Sequence, residues 1–438
     1  MNIENTSIPR LLLKMSPPVM LALLIQSIYN IADSFFIARY SPEGLTALSI
    51  IYPVQLLITA VATGTGAGVN ILVSRLDGRG EKAEQHDIIR TGLILNIFHF
   101  LLFAFAGNIM INMYFSLSTE NSLVNVQGII YSRIIFSGSL GLFIESVCTK
   151  ILQARGNMII PMIAQVAGFV INIILDVILI FGAGKIPALG ITGAAVATVI
   201  GQWAAMMITL ICVTKKYSLR GRFKWKDCRE IYANGIGSII TQSLYTLYII
   251  GLNMILKLFT EDAVTVLGIY YKIQSFFFIP LLGFQQVLLP LFSYYYGAGD
   301  NRKNSEILKW SVIFSVSIMA VATGIFFIFP EGLIHIFSAD PAIVNIGKYA
   351  FPVISVSFIF AGITIVTTSY LQGIAQIKKS LFIIVLRQIF LLVPLAWLLH
   401  FAGLNAVWWT FPVTEIIVGI TGILTILILH KQDRTTRL

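Results

Sequence analysis

Charged side chains are scarce in this sequence. Asp, Glu, Lys and Arg make up 11% of the 438 residues, whereas hydrophobic residues make up 57%. Soluble domains carry about 25% charged residues, so the composition excludes a soluble globular protein and indicates an integral membrane protein. The apolar runs have the length of helices and lack the alternation of membrane β-strands, which predicts an all-α fold.

Cysteine is also rare. Cys148, Cys212 and Cys228 are scattered without C-x-x-C or Cys/His spacing, so the sequence predicts neither a disulfide framework nor a zinc site. No H-E-x-x-H or G-x-S-x-G motif is present, so we expect neither an enzyme nor a resident cofactor. The N-terminus has no small-residue cleavage site after an apolar core, so we expect no removable signal peptide.

Twelve apolar segments are long enough to cross a bilayer, which takes about 20 residues. They cover residues 16–38, 46–74, 89–114, 124–149, 158–182, 189–213, 232–256, 263–293, 307–330, 343–373, 380–400 and 405–429.

The basic residues are concentrated in alternate loops. The formal net charge of +10 could suggest a nucleic-acid partner, but the loop between segments six and seven alone carries seven basic residues. The opposite loops hold only four, Arg39, Lys185, Lys257 and Lys348. The positive-inside rule explains this asymmetry and predicts that both termini are cytoplasmic. We therefore expect a lipid bilayer, and no nucleic acid, as the partner of the basic surface.

The chain consists of two related halves. We predict an N-lobe over residues 1–214, a basic inter-lobe loop over 215–230 and a C-lobe over 231–438. Two six-helix repeats of the same topology are typical of a transporter whose substrate cavity lies between them. The matched stretches are Gln26–Tyr29 with Gln242–Tyr245, Gly78–Gly80 with Gly297–Gly299, Leu152–Gln153 with Leu371–Gln372, and Gly190–Thr192 with Gly403–Asn405.

Two acidic residues lie deep in the first half. Asp176 in segment five shares a helix face with Asn172, and Asp33 in segment one has Tyr29 and Asn30 within about a turn. A structural interpretation is that both carboxylates are hydrogen-bonded and fix the helix packing. The functional interpretation is a site that takes up H⁺ or Na⁺, since acids within membrane helices usually mark ion or proton pathways.

The other deep charges allow similar alternatives. Near the end of segment four, Glu145 is expected to pair with Lys150. In the second half Glu415 is expected to pair with Arg387 or Lys272, because an unpaired buried charge is costly. The functional alternative gives Lys272, Arg387 and Glu415 a role in substrate contact or proton relay.

Nearly the whole chain resembles the multidrug and toxic compound extrusion (MATE) family, most closely its bacterial DinF-like branch. The motifs that carry the resemblance are Pro17–Pro18 before QSIYNIADSFFIARY, the segment from Arg75 to Gly80, LQARGN at 152–157, NIILDVILIFG at 172–182, GITGAAVAT at 190–198, YYYGAGD at 294–300 and FPVTE at 411–415.

The resemblance implies twelve helices in two pseudo-symmetric bundles around a V-shaped central cavity, in a bacterial cytoplasmic membrane. It implies export of lipophilic, often cationic compounds in exchange for H⁺ or Na⁺. The family's first-lobe site falls on Asp33, Asn172, Asp176 and Thr198, with Tyr29 and Asn30 nearby. Acids that some members carry in helices seven and ten have no counterpart here, which leaves Lys272 and Glu415 as this chain's own second-lobe charges.

Other functions fit less well. A flippase for a lipid-linked saccharide is the main alternative, but such proteins tend to have more helices and a strongly basic cavity. A major-facilitator carrier also has twelve helices, yet RLDGRGEKAE after the second segment fits its loop signature poorly. We expect a monomer whose partners are small lipophilic or cationic substrates and H⁺ or Na⁺.

Overall fold

The protein is described from a computed structural model, which covers residues 7–217 and 219–435. The outer ends of the predicted lobes, residues 1–6 and 436–438, and residue 218 of the predicted inter-lobe loop lie outside the described residues. Within the described ranges the fold is all-α, as predicted, with only an isolated bridge between Ala183 and Ile186.

Among the described residues, ten helices are long and apolar enough to span a membrane, and the number is twelve if each of two helix pairs, bent by 45° and 40°, is taken as one span. These elements match the twelve apolar segments, and we number them α1 to α12. They are α1 Ile8–Tyr40, α2 Pro42–Arg79, α3 Lys82–Ser118, α4 Ser122–Gly138 with Leu140–Ala154, α5 Ile159–Phe181, α6 Ile191–Lys216, α7 Trp225–Lys257, α8 Glu261–Gly297, α9 Asn301–Ile328, α10 Pro341–Ser355 with Ser357–Gly373, α11 Ile377–His400 and α12 Leu404–Val407 with Thr410–Thr435. A short helix, Pro330–His335, precedes α10, and α11 contains a π-helical turn over Leu386–Leu391.

The backbone repeats between the two halves. The bent spans are α4 and α10, which hold the same place in the two predicted repeats. Equivalent loop positions also share an unusual positive φ, which supports a common local geometry. The pairs are Gly80 (φ 75°) with Gly299 (72°), Gly156 (73°) with Ala375 (63°), and Gly190 (57°) with Gly403 (99°).

Contacts divide the chain into two compact units within α7. The first unit is Met15–Gln242, and the second contains Ser243–Leu438 together with the start of α1. The lobe bounds derived from charge and repeat remain a prediction. The first unit contains many small buried residues, whereas an aromatic cluster fills the second, where Phe326 and Phe358 pack edge to face at 5.0 Å.

Helix α5 exposes apolar side chains on one face and buries Asn172 and Asp176 on the other. Ile174 is 54% exposed, whereas Asn172 and Asp176 are buried on the opposite face together with Gly168. The spacing of four residues keeps these positions on one side of the helix. An apolar exterior fits a lipid environment, and the polar face is directed into the first unit.

Helices α5 and α6 approach each other closely at two glycines. A Cβ on Gly168 would lie 2.7 Å from the carbonyl oxygen of Gly201, and a Cβ on Gly201 would lie 2.6 Å from that of Gly168. Small residues at such crossings allow membrane helices to pack backbone to backbone. The contact brings α6 against the polar face of α5, since the same Cβ on Gly201 would lie 3.0 Å from Cβ of Asn172.

Substitution of Gly168 by valine tests this contact. We expect Gly168→Val to lower the free energy of unfolding by about 1–3 kcal/mol, because the backbone of α6 would have to move away. Gly324→Val in α9 is the matched control, since nothing lies within 4 Å of its Cβ position. Thermal unfolding in the same detergent measures both variants. Equal melting temperatures for the two variants would contradict the close approach.

Candidate ion-coupling site

Asp176 is the most deeply buried acid of the candidate site. Its side chain is 0% exposed, and neither carboxylate oxygen has a hydrogen-bond partner among the described residues. A carboxylate at the centre of a membrane helix costs about 2.5–3.5 kcal/mol on insertion scales. A proton, a cation or ordered water at these oxygens would lower that cost.

Asp33 on α1 lies close enough to Asp176 for the two carboxylates to interact electrostatically. Asp33 is half-buried, and its Oδ1 has no partner within the described part of the chain. The ring of Tyr29, one turn earlier, stacks on Phe169 of α5 with centroids 5.1 Å apart. This stacking holds α1 against α5 where the two acids meet.

Asn172 and Thr198 complete the site from α5 and α6. The Nδ2 of Asn172 donates a hydrogen bond of 3.3 Å to Oγ1 of Thr198. Asn172 is 2% exposed, and its Oδ1 has no partner among the residues that the structure describes. Asn30, also predicted here, is exposed, and its main-chain oxygen accepts a hydrogen bond from Ser34.

Sequence reasoning missed Tyr131 on α4. This side chain is 3% exposed, and its hydroxyl accepts a hydrogen bond of 3.3 Å from Nε2 of Gln55. The same hydroxyl interacts with Thr198 and with the carboxylates of Asp33 and Asp176. Tyrosine is common in membrane helices, so its presence in the sequence does not indicate a site. Tyr131 is identified by its contacts with residues of α2 and α6 in the folded structure.

The site assembles oxygen atoms of three kinds. Carboxylate, amide and hydroxyl oxygens are the ligands that hard cations prefer, and carboxylates also accept protons. Asp33, Asn172 and Asp176 each contribute buried oxygen that has no hydrogen-bond partner in the described part of the chain. Chemically the arrangement can hold either a proton or a small cation.

The second unit pairs its deep acid with an arginine. Nε and Nη2 of Arg387 both lie 2.5 Å from Oε1 of Glu415, which is 4% exposed. Arg387 belongs to the π-helical turn of α11, and such turns are frequent at functional sites. Thr364 of α10 interacts with the same carboxylate. The structure therefore favours Arg387 over Lys272 as the partner of Glu415.

Lys272 lies apart from this ion pair. Its side chain is exposed, and its ammonium lies 5.6 Å from the ring centroid of Phe337, which follows the short helix. Cation–π contact with an exposed ring is worth about 0.5–1 kcal/mol. The role of Lys272 in substrate contact or relay stays a prediction.

The family model named MatE matches this chain twice, over residues 18–178 and 237–398. The chain belongs to the MatE family. The double match reflects the internal repeat, with one copy in each half. As a MatE protein with many spans, the chain is a helical membrane transporter, in agreement with the resemblance drawn from its motifs.

The alignments with relatives cover nearly the whole of this MatE protein. It is 27% identical to the "FAD transporter" of Shewanella oneidensis over 95% of this chain and 94% of that protein. It is 25% identical to the "Multidrug export protein MepA" of Staphylococcus saprophyticus over 99% of this chain and 96% of that one. A crystal structure described as "MATE in the bent conformation" has a TM-score of 0.91 and 22% identity, and covers 99% of this chain and 98% of that chain. This likeness shows the fold.

Removal of the arginine tests the ion pair of this MatE protein. We expect Arg387→Met to lower the free energy of unfolding by about 3–5 kcal/mol, because it leaves Glu415 buried without its cation. Glu415→Gln in the same chain should restore much of the loss. Denaturation in detergent measures each variant.

The matched control is the exposed ion pair between Lys348 and Glu331. Lys348→Met should change the free energy of unfolding by only about 0–1 kcal/mol, because solvent screens exposed pairs. Equal losses for Arg387→Met and Lys348→Met would show that Glu415 does not need a buried cation.

Proposed function

We propose that this chain is an efflux antiporter of a bacterial cytoplasmic membrane, working as a monomer. It exports lipophilic, often cationic compounds in exchange for inward H⁺ or Na⁺. The observation that carries the proposal is the fully buried Asp176, with both oxygens unpaired among the described residues, beside Asp33. Two acids in a low-dielectric site repel each other, so a visiting cation or proton stabilises the pair.

The coupling ion and the substrate oppose each other in this mechanism. Neutralising Asp33 and Asp176 removes their repulsion and changes how α1 packs on α5. Pro17 and Pro18 lie inside α1, where each proline removes a backbone hydrogen bond and makes the helix easier to bend. We propose that ion uptake bends α1 and lowers substrate affinity. Linkage requires that bound substrate weakens ion binding by the same factor.

The protein family supports export as the function. The relative from Staphylococcus saprophyticus is named a multidrug export protein. The positive-inside pattern supports cytoplasmic termini, which places the basic loops on the side from which substrate is taken. The flippase alternative stays a prediction, since no contact in the described residues favours it.

Neutralisation of the two acids tests the proposal. We expect Asp33→Asn and Asp176→Asn each to reduce gradient-driven transport of a lipophilic cation such as ethidium by about tenfold or more. A tenfold effect lies within the factors of about 5–150 that typical coupling free energies between two sites produce. Purified protein in proteoliposomes is assayed under separate pH and Na⁺ gradients, which also identifies the ion.

The matched control is Glu120→Gln, which makes the same chemical change at an exposed position between α3 and α4. It should transport at the wild-type rate. Undiminished transport by both aspartate variants would remove Asp33 and Asp176 from the coupling mechanism.

A second substrate class follows from the relative named "FAD transporter", at 27% identity over 95% of this chain. Flavin nucleotides are anionic and aromatic, unlike lipophilic cations. Gradient-driven transport of FAD and of ethidium by the same proteoliposomes separates the two classes. We expect ethidium to be transported and FAD to be transported poorly. Transport of FAD with little transport of ethidium would establish flavin export instead.

A further inference from the structure

Another acid of the first unit, Glu145, lies away from the candidate site. Glu145 is on the second helix of α4 and is partly buried. Its Oε1 accepts a hydrogen bond of 2.7 Å from Oγ1 of Thr149, and its side chain is also hydrogen-bonded to Gln165 of α5. The expected pairing with Lys150 is electrostatic, and the hydrogen bonds to the carboxylate come from other residues.

The charged neighbourhood of Glu145 is simple. Among the described residues, its ionisable neighbours include Lys150 and Cys148, which both belong to its own helix. Nζ of Lys150 donates a hydrogen bond of 3.0 Å to Oε1 of Gln153. A Cβ on Gly66 of α2 would lie 2.9 Å from Cγ of Lys150, so the lysine stem packs on that glycine. The lysine is held in place and supplies one fixed positive charge.

Gln165 connects Glu145 to the polar face of α5. Gln165, Asn172 and Asp176 are separated by seven and four residues, which places them on one side of the helix. At a rise of about 1.5 Å per residue, Gln165 lies about 10 Å along the axis from Asn172 and about 16 Å from Asp176. Polar side chains therefore extend from the acid pair towards the loop between α4 and α5.

Polar atoms on the same helix as Glu145 and on the neighbouring α2 also lack partners in the described residues. The Oγ of Ser146 and the Oδ1 of Asn70 are buried and accept no hydrogen bond there. Asn70 is fixed beside α4, because its Nδ2 donates a hydrogen bond of 2.8 Å to the main-chain oxygen of Lys150. Buried polar atoms of this kind normally bind ordered water or an ion.

We propose that Glu145 and Gln165 form the exit route by which the coupling ion leaves the Asp33/Asp176 site for the side that the basic loops predict to be cytoplasmic. This inference rests on the proposed antiport. For a proton, the O–H bond on Asp176 breaks as an ordered water molecule accepts the proton, and the proton passes along hydrogen-bonded water past Gln165 until an O–H bond forms on Glu145. Glu145 then releases the proton at the α4–α5 end and returns to its carboxylate form.

The chemistry of the route explains why it contains a carboxylate. An inward-moving ion must leave the first unit after the acid pair releases it, and a purely apolar path would oppose its passage. Glu145 supplies a negative charge along the path, and Lys150 offsets that charge when no ion is present. Gln165 supplies both a donor and an acceptor between the two sites.

The test compares two kinds of transport in the same proteoliposomes. Gradient-driven ethidium efflux requires the ion to complete its passage, whereas exchange of ethidium for ethidium without a gradient does not. We expect Glu145→Gln to lower driven transport by about tenfold or more, the size of a typical coupling effect, and to leave exchange close to the wild-type rate. Gln165→Leu should show the same split, and Glu145→Asp, which keeps a carboxylate, should retain driven transport.

Each outcome separates this inference from the proposed function. Driven transport by Glu145→Gln at the wild-type rate would overturn the exit route while leaving the antiport intact. Equal losses of driven transport and exchange would also overturn it, because they would show a structural role. If wild-type transport responded to neither a pH nor a Na⁺ gradient, the antiport itself would be wrong. Glu120→Gln serves again as the matched control for the change of acid to amide.

Discussion

A carboxylate in a low-dielectric interior must be neutralised, and the arrangement of the first unit follows from this constraint. Asp176 is buried on the polar face of α5 and does not find its neutralising partner among the described protein groups. Its charged neighbour is another acid, Asp33, which increases the cost. A structure that brings two like charges together in a membrane gains a strong response to any proton or cation that reaches them.

At corresponding helix pairs, the two repeats differ in whether a buried acid has a basic partner among the described residues. Between α5 and α6, Gly168 and Gly201 allow backbone contact, and the buried Asp176 beside them has no hydrogen-bond partner in the described part of the chain. Between α11 and α12, Arg387 neutralises Glu415 from within the protein. A basic partner makes the second pair suited to holding helices together, whereas the first is where we propose that the coupling ion binds.

The acid pair is also connected to its surroundings by aromatic and polar contacts. Tyr29 stacks on Phe169, and Tyr131 lies between Gln55 and the acids. A change of charge at Asp33 therefore acts on groups from several helices at once. Closer to the α4–α5 loop, the side chain of Gln165 is hydrogen-bonded to Glu145. Helix packing around the acid pair thus depends on side chains from several helices of the first unit.

The sequence alone determined the properties that depend on local composition. Apolar runs set the twelve spans because hydrocarbon tolerates few charges, and the basic loops and paired motifs indicated the orientation and the repeat. Asp33 and Asp176 stood out because an acid is rare in such a run. The tertiary structure decided which distant groups meet: Tyr131 joins the acid pair, Glu415 binds Arg387 instead of Lys272, and Gln165 reaches Glu145. Each of these contacts joins residues on different helices, and their geometry depends on helix packing that no local pattern encodes.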